Sequence, residues 1–223
     1  MATQTRRTPA ADRAVLRGVG WETYRKLRHQ PRNGHLRMSY LDGTLILMSP
    51  QYLYDKDGWR LAILVSTVSE ALDIPSQGTG TSTLRRQGPG PRKGSGKEPD
   101  YGFYFGPNEP RMRTKETIDL EVDPPPDLAI EVDHKADSAW VLKLYARIGV
   151  PEVWRYRVRA KALWFGRLDG QSYQPIERSL NLPRLTPALV PHALDQADRL
   201  GESAWRAWLL DWARGLPEPP EFA

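Results

Sequence analysis

Two short segments of the chain set carboxylates among apolar, strand-forming residues. One is Glu98-Pro99-Asp100-Tyr101-Gly102-Phe103-Tyr104-Phe105, where Asp100 opens an aromatic run. The other is Pro125-Pro126-Asp127-Leu128-Ala129-Ile130-Glu131-Val132-Asp133, where Glu131 closes an aliphatic one. A carboxylate on a buried strand loses its hydration, which is costly unless a cation or a metal compensates it. If the two strands pair, Asp100 and Glu131 can face one cation, and hard oxygen donors suit a divalent ion such as Mg2+. Asp133 lies two residues beyond Glu131, and the period of two along a strand puts both on one side. The same acids also read as ordinary ion-paired residues near strand ends, and spacing alone does not decide between the two readings.

The order of these carboxylates and their flanking elements resembles the PD-(D/E)XK nuclease superfamily, most of all its Uma-type restriction-endonuclease-like branch. The likeness runs from about Ser39 to Leu194. Its landmarks are Tyr40-Leu41-Asp42-Gly43-Thr44-Leu45, Met48-Ser49-Pro50, Gly80-Thr81-Ser82-Thr83-Leu84-Arg85-Arg86, Pro99-Asp100, Pro124-Pro125-Pro126-Asp127-Leu128, Glu131-Val132-Asp133 and Tyr145-Ala146 through Trp154. The resemblance implies an α/β, restriction-endonuclease-like domain with a mixed central sheet flanked by helices. It implies hydrolysis of DNA phosphodiesters with Mg2+ or Mn2+ held by Asp100, Glu131 and the backbone carbonyl of Val132. Asp133 stands where the superfamily usually carries a lysine and is a candidate third ligand or a solvated strand end. Asp55 matches the acid of a His-Glu pair, although an acid at a helix start is also favoured by the helix dipole. Lys135 and Lys143 are the candidates for a charge-stabilising lysine.

Three polar positions of the family pattern are altered. Ile46 stands at an acidic position, Tyr54 at the histidine of the His-Glu pair, and Val141 at the lysine of the helix. The expectation is therefore a metal-dependent endonuclease of degraded activity. The alternative is a catalytically inactive member that binds nucleic acid or a protein partner.

These residues need a scaffold. The apolar set Val15, Val19, Tyr24 and Leu27 suggests a helix over about 14–30, and Asp42-Gly43 marks the turn of a hairpin over 37–49. Leu61, Leu64, Val65, Val68 and Leu72 share one face of a helix over 57–72. The glycines and prolines of 85–97 read as a flexible basic loop. Its Arg85, Arg86, Arg92, Lys93 and Lys97 could follow a nucleic-acid backbone or lie solvated. A polar loop over 106–117, a helix over 138–148 and a hairpin of strands over 152–158 and 161–168 follow. The row Arg155, Arg157 and Arg159 reads as the wet face of an edge strand. Trp205, Trp208 and Trp212 share a face of a helix over 193–214, which suits core closure or a homodimer contact. The resulting division is a disordered tail (1–13), the domain (14–195), an amphipathic helix (196–215) and a tail (216–223).

Composition bounds the reading. The 223 residues are 39% hydrophobic with a formal net charge of +5. That is enough for one core, with a modest bias towards polyanions such as DNA. There is no cysteine, which excludes thiolate metal sites and fits a cytoplasmic setting. No apolar run approaches the length of a membrane helix. Arg6 and Arg7 lack the apolar run of a secretory signal behind them. The four histidines, at 29, 35, 134 and 192, form no zinc pattern, and His134 has the strand parity opposite to Glu131.

Overall fold

The computed structural model describes residues 13–48, 52–133 and 139–219, with the backbone alone for 52–55. In chain order the elements are β1 (Arg13–Arg17), α1 (Trp21–His29), β2 (Arg37–Leu41), β3 (Thr44–Met48), α2 (Tyr52–Ala71), β4 (Ser76–Gly78), β5 (Leu84–Gln87), β6 (Gly94–Lys97), β7 (Tyr101–Phe105), α3 (Asn108–Met112), β8 (Leu128–Asp133), α4 (Ala139–Ile148), β9 (Glu152–Arg157), β10 (Ala162–Asp169), β11 (Ser172–Pro175), α5 (Leu189–Leu200) and α6 (Glu202–Arg214).

The strands form two sheets. The first is antiparallel, in the order β1-β3-β2-β6-β5, and the second runs β11-β10-β9-β8-β7-β4. In the second sheet only β8 and β9 are parallel, so it is mixed, and α4 makes the crossover between them. The expected α/β class, a mixed central sheet with helices against it, is what the chain adopts. Along β8, Leu128, Ile130 and Val132 pack with α2, α5 and α6, while Ala129 packs with Leu144, Tyr145 and Ile148 of α4. Glu131 and Asp133 share the parity of Ala129 and so belong to the α4 side. The first sheet lies beyond α4, and the Ser95 hydroxyl of β6 donates to the Leu144 carbonyl across 3.1 Å.

Several elements differ from expectation, each for a local reason. The proposed helix over 14–30 is a strand and a shorter helix, because Gly18 turns the chain at φ +74° and Val15 pairs with Ile46. Helix α2 starts earlier than 57, since Asp55, Asp57 and Gly58 interrupt the apolar stripe without breaking the helix. The polar loop over 106–117 contains the short α3. The C-terminal helix is two helices that break at Gly201, whose φ is +73°. Trp205 is buried, with its indole N–H donating to the Ala193 carbonyl at 2.8 Å. Trp208 and Trp212 stack on each other at 5.5 Å.

The largest correction concerns 85–97. It is not a loop but the β5–β6 hairpin, turning through 88–93. Its glycines are there because the strand runs against aromatic rings. A Cβ on Gly94 would sit 2.7 Å from Trp21 Cε3, and one on Gly96 would overlap the Tyr24 ring. Trp21, Tyr24 and Tyr40 form a packed aromatic cluster over β6.

Candidate functional site

Strands β7 and β8 pair antiparallel with Tyr101 opposite Ile130. The Asp100 N–H donates to the Ile130 carbonyl at 3.1 Å. The register therefore brings Asp100 beside Glu131, as two paired acidic strands require. Asp100 Oδ2 accepts the Val132 N–H at 2.7 Å, and Oδ1 accepts Arg37 Nη1 at 2.6 Å. Helix α2 passes close by: a Cβ on Gly58 would lie 3.4 Å from the Asp100 Cβ. Asp55 is on the same helix, about one turn before Gly58.

Glu131 is buried, at 6% exposure. Its Oε1 accepts a hydrogen bond from the Tyr145 hydroxyl of α4 and an ion pair from Lys97 Nζ at 3.0 Å. Burial pushes the Glu131 carboxyl from 4.5 up to about 7; Lys97 opposes that rise and the charge of Asp100 adds to it. Burial, then the charge of Glu131, holds the Tyr145 phenol well above its ordinary value, so it stays a donor. Each carboxylate has one cation beside it, Arg37 at Asp100 and Lys97 at Glu131, and the rise at Glu131 comes first from its burial.

The structure moves Lys97 furthest from its sequence expectation. The sequence puts it in a flexible basic loop that follows a nucleic-acid backbone or lies solvated; the structure leaves it 5% exposed, ending β6 against Glu131. Its one sequence signal was position: it immediately precedes Glu98-Pro99-Asp100. Glu98 turns to the other side, where Arg28 and Thr83 hold it.

The remaining candidates fall in different places. Asp133 is engaged by Arg155, at 2.9 and 3.2 Å. Arg155 also lies 6.0 Å over the Trp164 ring. β9 sits between β8 and β10 and is not an edge strand; Arg157 and Arg159 are exposed, as a wet face requires, and Arg155 alone is drawn in by Asp133. Lys143 is exposed on α4, and Val141 packs against the α4 cluster. Lys135 and His134 lie outside the described residues. Of the basic set, Arg92 and Lys93 are exposed at the hairpin turn, and Lys93 pairs with Asp42 at 3.5 Å. Arg85 lies 2.8 Å from His29 Nε2, and Arg86 reaches the Leu120 carbonyl at 3.5 Å. Asp127 braces the sheet by accepting the Phe105 N–H and the Asn108 amide, both at 2.8 Å. Ile46 is buried in the first sheet.

Two carboxylates on adjacent strands, still mutually repelling, fit a hard divalent cation in donor chemistry. Among the described residues no third His, Cys, Asp or Glu completes a cluster with them, so backbone oxygen and water would have to fill the remaining positions, as is common for Mg2+.

No curated protein matches the chain. A solved structure described as a putative nuclease belonging to DUF820, from Anabaena variabilis ATCC 29413, is similar at 16% identity and a TM-score of 0.49, covering 87% of this chain and 99% of its own. The family model described as "Uma2: Putative restriction endonuclease" matches residues 21–197, most of the chain and all of the Asp100–Glu131 site. The chain belongs to the Uma2 family.

Proposed function

We propose that this chain is a metal-dependent DNA endonuclease whose centre is Asp100, Glu131 and Lys97. The observation that carries the reading is the Lys97 ammonium, 3.0 Å from Glu131 at the end of the strand pair that holds Asp100. Asp100, Glu131 and the Val132 carbonyl would hold Mg2+ or Mn2+. When bound, such an ion supplies Lewis-acid activation of water and neutralises phosphate charge. The Val132 N–H fixes Asp100, and the Tyr145 hydroxyl fixes Glu131, so both carboxylates are oriented before substrate arrives. Lys97 places a positive charge where negative charge grows on the phosphate. The absence of a lysine at 141 therefore does not leave the site without one. The exposed Arg92 and Lys93 lie on the same hairpin, about 13 Å of strand from Lys97. They can follow the DNA backbone beside the site. A cytoplasmic setting, where chromosomal and invading DNA is accessible, fits this role. Among the described residues no helix is long and apolar enough to cross a membrane.

A second reading, binding without cleavage, is favoured by one observation: Arg37 already occupies Asp100 Oδ1. One assay separates them. Supercoiled plasmid is incubated with the protein and Mg2+ or Mn2+, with EDTA and Glu131→Gln as controls. The endonuclease reading expects nicked and linear DNA from the wild type only, at least about 100-fold above either control. DNA retention without any nicking would give the second reading precedence.

A further inference from the structure

The two cation–carboxylate pairs of the candidate site both cross from one sheet to the other. The first sheet supplies the cations, Arg37 at the start of β2 and Lys97 at the end of β6, and these strands are paired neighbours. The second supplies the carboxylates, Asp100 immediately before β7 and Glu131 on β8. The two pairs differ in what can move. Tyr145 and Lys97 both meet Glu131 at Oε1, and the Lys97 side chain is buried. Asp100 has both oxygens engaged, Oδ2 by the Val132 N–H at 2.7 Å and Oδ1 by Arg37 at 2.6 Å. Val132 belongs to the paired backbone of β8 and β9. Arg37 reaches Asp100 through a long side chain that is 19% exposed. Of the two contacts on Asp100, the one to Arg37 can open without disturbing a strand.

We propose that Arg37 holds the place of the divalent cation at Asp100 Oδ1, yields it when the metal is bound, and then takes a phosphate of the DNA. The inference rests on the endonuclease reading of the site and adds to it a residue that couples metal binding to substrate binding. Two carboxylates on paired strands repel each other when neither has a cation, so a site awaiting a metal gains from a temporary one. The charges favour the exchange. With both acids ionised, Asp100, Glu131, Lys97 and Arg37 cancel. A bound divalent ion makes the group doubly positive, which repels a guanidinium beside the ion and attracts a phosphodiester. The fork of N–H donors on Arg37 fits phosphate oxygens as it fits carboxylate oxygens. Glu98 also lies within reach of the Arg37 charge, but Arg28 already pairs with it. Lys97 keeps its place on Glu131, since its burial gives it nowhere to go.

The test measures metal and DNA separately. Arg37→Met and Arg37→Gln remove the charge and Arg37→Lys keeps it, with circular dichroism confirming each fold; either neutral variant carries the test if the other fails to fold. In calorimetric titration without DNA, the neutral variants should bind Mn2+ about 5- to 20-fold more tightly than the wild type, because no charge-assisted contact has to open first. Binding of a labelled DNA duplex is then measured in EDTA and in Ca2+, a hard ion that takes the same oxygen donors, with gels confirming that the DNA is intact. In Ca2+ the neutral variants should bind DNA about three- to tenfold more weakly than the wild type, with a log–log salt slope lower by about one. Arg37→Lys should retain most of that affinity, and in EDTA all four proteins should bind alike. A purely structural brace would weaken metal and DNA binding together, so the opposite signs are the signature. Mn2+ affinity that is equal or lower in the neutral variants would overturn the placeholder role, and wild-type DNA affinity in Ca2+ would overturn the phosphate contact. No Mn2+ binding by the wild type would instead remove the metal reading beneath the proposal, so the two failures are distinguishable.

Discussion

Lys97→Met should lower the turnover of DNA cleavage by about 100- to 1,000-fold, the usual effect of removing one preorganised electrostatic group. Methionine has a similar reach and fills the buried space, so the change isolates the charge. The loss should fall on kcat, with KM for DNA little changed, because a side chain 5% exposed cannot contribute much to first encounter. Mn2+ binding should survive, since Lys97 is a neighbour of Glu131 and not a ligand. Without its ion pair Glu131 ionises less readily, so the residual activity should move to higher pH. Lys143→Met is the matched control: that lysine is exposed on α4 and its loss should leave the rate as it was. Wild-type turnover in Lys97→Met would remove Lys97 from the chemistry.

The second large effect is on stability. Gly96→Ala should destabilise the fold by about 3 kcal/mol, at the upper end of what overpacking usually costs. The added methyl would lie 2.6 Å from Tyr24 Cε1 and closer still to the phenol oxygen. Tyr24 cannot step aside, because it is buried and stacked on Tyr40 at 4.9 Å. Among the described residues its buried hydroxyl has no hydrogen-bond partner, so Tyr24→Phe alone should be close to neutral. In that background Gly96→Ala should cost less, and urea denaturation of the four proteins gives the coupling directly. Additive effects would show that the ring and the strand do not press on each other. Because Gly96 precedes Lys97, the strained variant should also lose activity.

The carboxylate pair was legible because it depends on local pattern. Short apolar runs mark β7 and β8, and Pro99 and Pro126 mark where each strand begins. The β2–β3 hairpin was legible for the same reason: Asp42 and Gly43 accept the positive φ values, 43° and 89°, that its tight turn needs. What escaped was decided by partners distant in sequence. Glycines carry no side-chain pattern, so β6 looked like loop, and only the aromatic rings of α1 and β2 explain why those glycines form a strand. Lys97 looked like one of several solvated cations, because Glu131 and Tyr145, which bury it, are 34 and 48 positions away. Arg155 looked wet for a similar reason, since its partner Asp133 belongs to the neighbouring strand. Arg37, which now holds Asp100, gave no signal beyond its place at the start of β2.

The central claim is that Asp100 and Glu131 share one divalent cation. Calorimetric titration of Mn2+ into the wild type, Asp100→Asn and Glu131→Gln tests it most directly, with circular dichroism confirming that each variant is folded. The account predicts a single Mn2+ per chain in the wild type and a loss of at least about tenfold in affinity in each variant, near 1.4 kcal/mol or more. Mn2+ binding of equal strength in all three folded proteins, or none in the wild type, would contradict it.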